Sequence, residues 1–170
     1  MKKIIVVGAS LGLGLMFATA VFAADVPTLT VFGGRAVSNS VSDLKSNAWG
    51  VEQETPTKLG MWDFGYVNEG HQNGDKRDGI CAMKAFDYQF APKVQTSFAV
   101  GPYFTATTIT AADGNHYQDH YRWAALASAR VKYNVTEHWS VTGNRSHVLY
   151  RAGNKDADLF LIGVGYSPSN

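Results

Sequence analysis

The sequence predicts an all-β fold, an eight-stranded antiparallel transmembrane β-barrel of the outer-membrane type, on three observations. Short segments with apolar–polar alternation run from Thr28 to Tyr166, the period expected of strands. Their connections alternate between very short turns and longer polar loops. Small outer-membrane barrels show the same asymmetry, with short periplasmic turns and longer outward loops. Thirdly, a secretory leader precedes them: Lys2 and Lys3 form a positive start, residues 4–21 are almost wholly apolar, and Val21-Phe22-Ala23 fits a small-residue cleavage site.

Cleavage is expected after Ala23, giving a signal peptide at 1–23 and a single barrel domain at 24–170. A membrane anchor fits this segment less well, because its apolar run is rich in Gly and Ala and no stop-transfer charge cluster follows. Beyond it, no stretch approaches the roughly 20 apolar residues of a membrane helix. A mature chain in a membrane must therefore cross it as strands.

Strands are predicted at about 28–39, 46–54, 57–68, 79–90, 94–109, 120–134, 139–150 and 158–166. The second is the weakest, with little apolar content beyond Trp49 and Val51. Thr55-Pro56 separates the second from the third, Ala91-Pro92-Lys93 the fourth from the fifth, and residues 135–138 the sixth from the seventh. The longer connections, 69–78, 110–119 and 151–157, carry the Gly, Asn and Asp of turns. With the N-terminus in the periplasm, these longer connections face outward.

In the sixth strand Tyr121, Trp123, Ala125, Ala127, Ala129, Val131 and Tyr133 share one face. Arg122, Ala124, Leu126, Ser128, Arg130 and Lys132 share the other. A membrane barrel turns the apolar face to lipid and the polar face to the lumen, whereas a soluble lipocalin-like barrel of the same strand period does the reverse. Two aromatic bands favour the membrane: Trp62, Tyr66, Tyr121 and Trp123 toward the outer rim, and Phe86, Tyr88, Phe90 and Tyr133 toward the inner one. Lys84 departs from this pattern by sharing the lipid face with Phe86 and Tyr88, which calls for a bulge or a shifted register. In the last strand Phe160, Ile162, Val164 and Tyr166 share a face opposite Gly163 and Gly165.

Eight strands enclose a lumen that side chains just fill, so a diffusion pore is not expected. The lumen-facing charges Asp63, Glu69, Asp87, Arg122, Arg130 and Lys132 then form a buried network and must pair. Without Lys2 and Lys3 the chain carries one fewer basic than acidic residue, and nothing points to nucleic acid. Cys81 is the only cysteine, so no intrachain disulfide forms. No cofactor and no metal site is expected, His116 and His120 lying in a predicted loop rather than on one helix face.

The outward end collects His71, Arg77, Asp78, Asp119, His120, Arg122, Arg145, His147 and Asp156, whereas His138 falls at the other end. Arg pairs with phosphate and His titrates near neutral pH. Such a rim suits an anionic amphiphile, and the one at that depth is lipid A of lipopolysaccharide. Arg145, Arg77, Arg122 and His120 are the expected headgroup ligands. Parity in the seventh strand puts Ser140, Thr142, Asn144 and Ser146 on the lumen face, and Val141, Gly143, Arg145, His147 and Leu149 on the lipid face. An Arg or His facing lipid is costly away from the headgroups, so His147 is expected at headgroup level. A second candidate centre is Glu69 with His71, which share a face if the third strand continues. There a His beside a carboxylate would act as general base.

The segment Leu59-Gly60-Met61-Trp62-Asp63-Phe64-Gly65-Tyr66, ending in Glu69-Gly70, and the final hairpin from Trp139 to Tyr166 resemble the outer-membrane lipid A 3-O-deacylases (the PagL type). The resemblance covers most of the mature chain. It implies acyl-ester hydrolysis by a lipid-facing His, a Ser two residues later and an acidic residue across the last hairpin. The His matches His147, and the acid matches Asp156 or, less well, Asp158. The Ser position is Leu149. Ser146 points to the opposite face and cannot replace it. Lipid A palmitoyl transfer and a non-enzymatic structural or surface-interaction barrel are the alternatives. The expected partners are lipid A, other outer-membrane lipids and, during insertion, the barrel-assembly machinery.

Overall fold

A computed structural model describes residues 26–39, 44–72, 75–110, 116–150 and 156–168. The predicted leader lies outside these residues. Eight strands follow in chain order: β1 (Thr28–Ser38), β2 (Lys45–Thr57), β3 (Gly60–Gln72), β4 (Asp75–Ala91), β5 (Val94–Thr110), β6 (His116–Asn134), β7 (Trp139–Tyr150) and β8 (Ala157–Tyr166). Each pairs antiparallel with the next, and β1 pairs with β8, so the sheet closes into a barrel without a free edge strand.

Closure defines two faces, and their polarity identifies the solvent. Val31, Phe64, Phe98, Val131, Ile162 and Val164 point outward and are exposed, whereas Thr30, Glu52, Asp63, Ser128, Arg130 and Thr142 point inward and are buried. A soluble barrel turns its apolar side inward. This one turns it outward, which is stable only against lipid. No helix of the described residues is long and apolar enough to cross a membrane.

The predicted weak strand β2 is complete, and it carries Glu52 and Glu54 into the lumen. There they join Asp63 of β3 and Arg130 and Lys132 of β6. Arg130 Nη1 lies 2.5 Å from Glu52 Oε1 and 2.9 Å from Asp63 Oδ2. Neither contact has hydrogen-bond alignment, so these are charge contacts. Lys132 donates to Glu54. Beyond this polar layer, Phe32, Met83, Leu126, Val148, Leu159 and Leu161 form an apolar layer. The void between Phe32, Met83, Leu126 and Leu161 measures about 10 Å3, room for one water at most. The barrel interior is a packed core.

Several expectations change: β2 runs through Thr55-Pro56 to Thr57, and β6 begins at His116 inside the predicted 110–119 loop. The third and fourth strands run on into the predicted loop, so only residues 73–74 lie between β3 and β4. Trp62 belongs to the inner aromatic band: it pairs with Thr55 beside the β2–β3 turn, at the opposite end from the long loops. Lys84 needs no bulge, because its register with Trp62 and Val100 is regular. Its ammonium group instead reaches the β2–β3 turn, donating to the Leu59 carbonyl and lying 5.5 Å from the Trp62 ring centroid. A lysine stem along the apolar wall with its charge at the interface is a low-cost arrangement.

Candidate functional site

Two clusters form at the outward end, one on the lipid face and one inside the mouth. The lipid-face cluster is built by the β7–β8 ladder, which pairs His147 with Asp158 and Arg145 with Phe160. Pairing sets the geometry: directly opposed residues of an antiparallel pair hold their Cβ atoms roughly 5 Å apart. His147 Nδ1 lies 3.1 Å from Asp158 Oδ1, and Arg145 Nη2 lies 3.7 Å from the same oxygen. The second oxygen of Asp158 accepts from Asn39 Nδ2 at 3.0 Å. Arg145 also lies 5.5 Å over the Phe160 ring.

The acid beside His147 is thus Asp158 and not Asp156. Asp156 is committed to the turn, where its Oδ1 accepts from the Tyr150 backbone N–H at 3.0 Å. Its chain position suggested a match, but it lies one residue before β8 and outside the ladder. On the lipid face His147 is flanked by Arg145, Leu149 and Ala127. Leu149 is 46% exposed. Ser146 is buried in the lumen, where it donates to Asn144 Oδ1 at 3.1 Å and to Ser128 at 3.3 Å. Hence, among the described residues, His147 has an orienting carboxylate and no hydroxyl beside it on the lipid face.

The mouth cluster centres on Glu69, which is 1% exposed. A bulge places it there: the β3–β4 register shifts between Asn68 and Gly70, leaving Glu69 without a ladder partner. Gly70 takes a φ of +81°, a conformation natural to glycine. A Cβ at that position would lie 2.2 Å from the Asn47 carbonyl oxygen. The Glu69 carboxylate accepts from Tyr150 O–H at 2.8 Å, Tyr103 O–H at 3.2 Å and Arg77 Nη1 at 3.3 Å. Arg77 further lies 4.7 Å over the Tyr150 ring.

Beyond the bulge His71 is exposed and pairs with Lys76, while the groups on the Glu69 carboxylate are Tyr103, Tyr150 and Arg77. The strand does continue, as the shared-face expectation required, yet it does not bring Glu69 and His71 into contact. Arg122 is half-buried on the lumen face of β6 opposite Thr105. His120 lies in β6 by its backbone, and its side chain, like those of His116 and Asp119, falls outside the described set. His138 stays at the periplasmic end, with Nδ1 3.2 Å from the Ser167 carbonyl. No group of three metal-ligating side chains occurs among the described residues.

Chemically, the two clusters differ. Glu69 accepts hydrogen bonds on both carboxylate oxygens and serves as a buried tie across β3, β4, β5 and β7. His147–Asp158–Arg145 lies on the outer face, with the imidazole held by the carboxylate and the guanidinium exposed. Sequence reasoning missed Tyr103 and Tyr150 as partners of Glu69, and Arg35 on the lipid face of β1. The last was legible, since Arg35 alternates in phase with Val31 and Val37.

An eight-stranded closed barrel with an apolar exterior, a polar lumen and two aromatic bands is a small outer-membrane β-barrel. Solved structures bear out that class. Neisserial surface protein A superposes with a TM-score of 0.73 at 11% identity, over 84% of this chain and 97% of that one. The attachment invasion locus protein Ail of Yersinia pestis gives 0.61 at 7%, over 85% and 99%. The outer membrane protein OprG of Pseudomonas aeruginosa gives 0.54 at 10%, over 87% and 99%. These likenesses concern the fold. No protein-family model and no curated protein matches the sequence.

Proposed function

We propose that this outer-membrane barrel binds lipid A at its outer rim, through the external cluster His147–Asp158–Arg145. The supporting observation is the 3.1 Å pair of His147 with Asp158 on the lipid face, beside Arg145. Charged side chains facing lipid are costly unless they meet headgroups, and lipid A offers phosphates and acyl esters at that depth. The resemblance to lipid A 3-O-deacylases adds the His and the acid of a hydrolytic arrangement. Deacylase-like acyl-ester chemistry further requires a nucleophile in hydrogen-bond reach of the imidazole, and Leu149 stands in that position.

That leucine favours a second reading, a barrel that holds lipid A or a surface partner without chemistry. The lipid A mass profile of a host with and without the protein tests the choice. Loss of an acyl chain supports hydrolysis, a gain of a palmitoyl mass supports transfer, and an unchanged profile together with lipid A retained by the purified barrel supports binding alone. An unchanged profile with no retained lipid A removes the proposal. The membrane location is tested by heat-modifiable gel migration of the outer-membrane fraction, since closed barrels resist unfolding in detergent. Release by osmotic shock would refute it.

A further inference from the structure

We propose that Arg35 and Arg145, standing on either side of Phe160, form an external clamp for the phosphate of an outer-leaflet lipid, with one acyl chain lying inward of it over the open faces of Gly33 and Gly143. Register assembles the clamp. Arg35 pairs with Phe160, and Phe160 pairs with Arg145, so the three occupy one row across β1, β8 and β7. Adjacent strands lie about 4.8 Å apart, which sets the two arginine Cα atoms roughly 10 Å from each other. Arg145 leans toward β8, its guanidinium 5.5 Å over the Phe160 ring. Two arginines flanking one position can hold a phosphate between them, for which Arg is suited by its paired donors.

The charge balance asks for an anion. The next row outward holds Lys45, Val37, Asp158 and His147. Asp158, the one carboxylate in these two rows, is engaged by His147, Arg145 and Asn39. Arg35 and Lys45 are exposed on the same lipid face, and no ion pair forms to either among the described residues. An arginine facing lipid costs roughly 2–4 kcal/mol at the midplane and falls to about 0–1 near the interface. A lipid phosphate at the interface supplies the opposite charge.

Inward of the clamp the wall is open on β7 and β1. A Cβ built on Gly143 or on Gly33, which flank Ile162, would meet nothing within 4 Å. Elsewhere the exterior is bulky, with Phe86 paired against Phe98 and Trp123 against Phe104. An acyl chain running inward from the clamp lies over the two open positions, Gly143 and Gly33.

This inference rests on the proposed binding at the external face but not on the lipid being lipid A. The test reconstitutes the full barrel into phosphatidylcholine nanodiscs doped separately with diphosphoryl lipid A, its monophosphoryl form and phosphatidic acid, and measures lipid enrichment by mass spectrometry. Wild type enriches the phosphorylated lipids, and Arg35→Gln with Arg145→Gln lowers that enrichment about tenfold or more, a difference of one strong contact. Heat-modifiable migration confirms that the variant is folded. Gly143→Trp, which fills the open face inward of Arg145, lowers the enrichment while leaving both arginines in place. Equal enrichment in wild type and double variant overturns the clamp, even where lipid A is bound. Enrichment of phosphatidic acid but not lipid A, lost in the double variant, upholds the clamp and removes lipid A as the ligand. Absence of enrichment for all three lipids overturns both.

Discussion

Arg130 and Arg145 sit in the same barrel, on opposite faces of adjacent strands, and do opposite work. The Arg130 side chain is 2% exposed and has Glu52, Glu54 and Asp63 within ion-pair distance. The Arg145 side chain is 67% exposed and has one carboxylate, at 3.7 Å. Inside, a charge without partners is untenable, so the lumen supplies acids from β2 and β3 to hold it. Outside, the protein leaves the guanidinium exposed, with that single carboxylate among the described residues. Charges that the protein neutralises itself hold the fold, and under the proposed function the charge it leaves to the surroundings is the one that meets lipid.

The largest effect expected from breaking this comparison is on the lumen side. Arg130→Met strands buried Glu52 and Asp63 and is expected to cost about 3–5 kcal/mol, read as a lower urea midpoint in detergent micelles. Adding Glu52→Gln and Asp63→Asn should restore most of it, because the cost lies in uncompensated charge. If Arg130→Met alone is neutral, the network is not what holds the lumen.

On the lipid side the comparable test is chemical. Under the proposed function, Leu149→Ser places a hydroxyl beside His147 and should create 3-O-deacylation that wild type lacks. His147→Ala in that background should lower its rate by about 10²–10⁴, the usual contribution of a general base. Lipid A mass spectrometry reads both. Deacylation by wild type that survives His147→Ala would place the chemistry elsewhere.

Glu69→Leu removes the acceptor shared by Tyr103, Tyr150 and Arg77 and should cost roughly 1–3 kcal/mol. It should leave lipid enrichment unchanged, because the mouth cluster is structural. Loss of lipid binding without loss of stability would reverse that assignment.

The smallest stability effect belongs to the external pair. Arg145→Met should shift stability by about 1 kcal/mol or less, as exposed ion pairs do. Asp156→Ala loses the turn hydrogen bond to Tyr150 and should leave deacylation in the Leu149→Ser background unchanged, whereas Asp158→Ala should lower it by removing the carboxylate that holds His147. Lipid A mass spectrometry distinguishes the two acids.

Strand alternation made much of this legible in the chain itself. Period-two parity put Arg130 and Lys132 inward, put Arg145, His147 and Leu149 outward, and separated Ser146 from His147 by a face. It failed where the ladder departs from regularity or where apolar residues are scarce. β2 read as the weakest strand because Glu52, Gln53, Glu54 and Thr55 are polar, yet those residues are polar because they face or border a charged lumen. The bulge at Asn68 and Gly70 carries Glu69 inward, while His71 beyond it stays exposed and out of contact with that carboxylate. Trp62 falls at the inner rim and not the outer one because β3 begins at Gly60, which sets Trp62 beside the β2–β3 turn.

The sequence by itself determined the number of strands, the face of most side chains and the end of the barrel at which the histidines gather, because each follows from a two-residue period and the spacing of turns. Only the tertiary structure decided which acid meets His147, which groups satisfy Glu69 and that Arg35 stands in one row with Arg145. Parity along a strand is local and survives any sliding of its neighbours. Partnership across strands depends on register, and register is settled when all eight ladders close on one another at the β1–β8 seam.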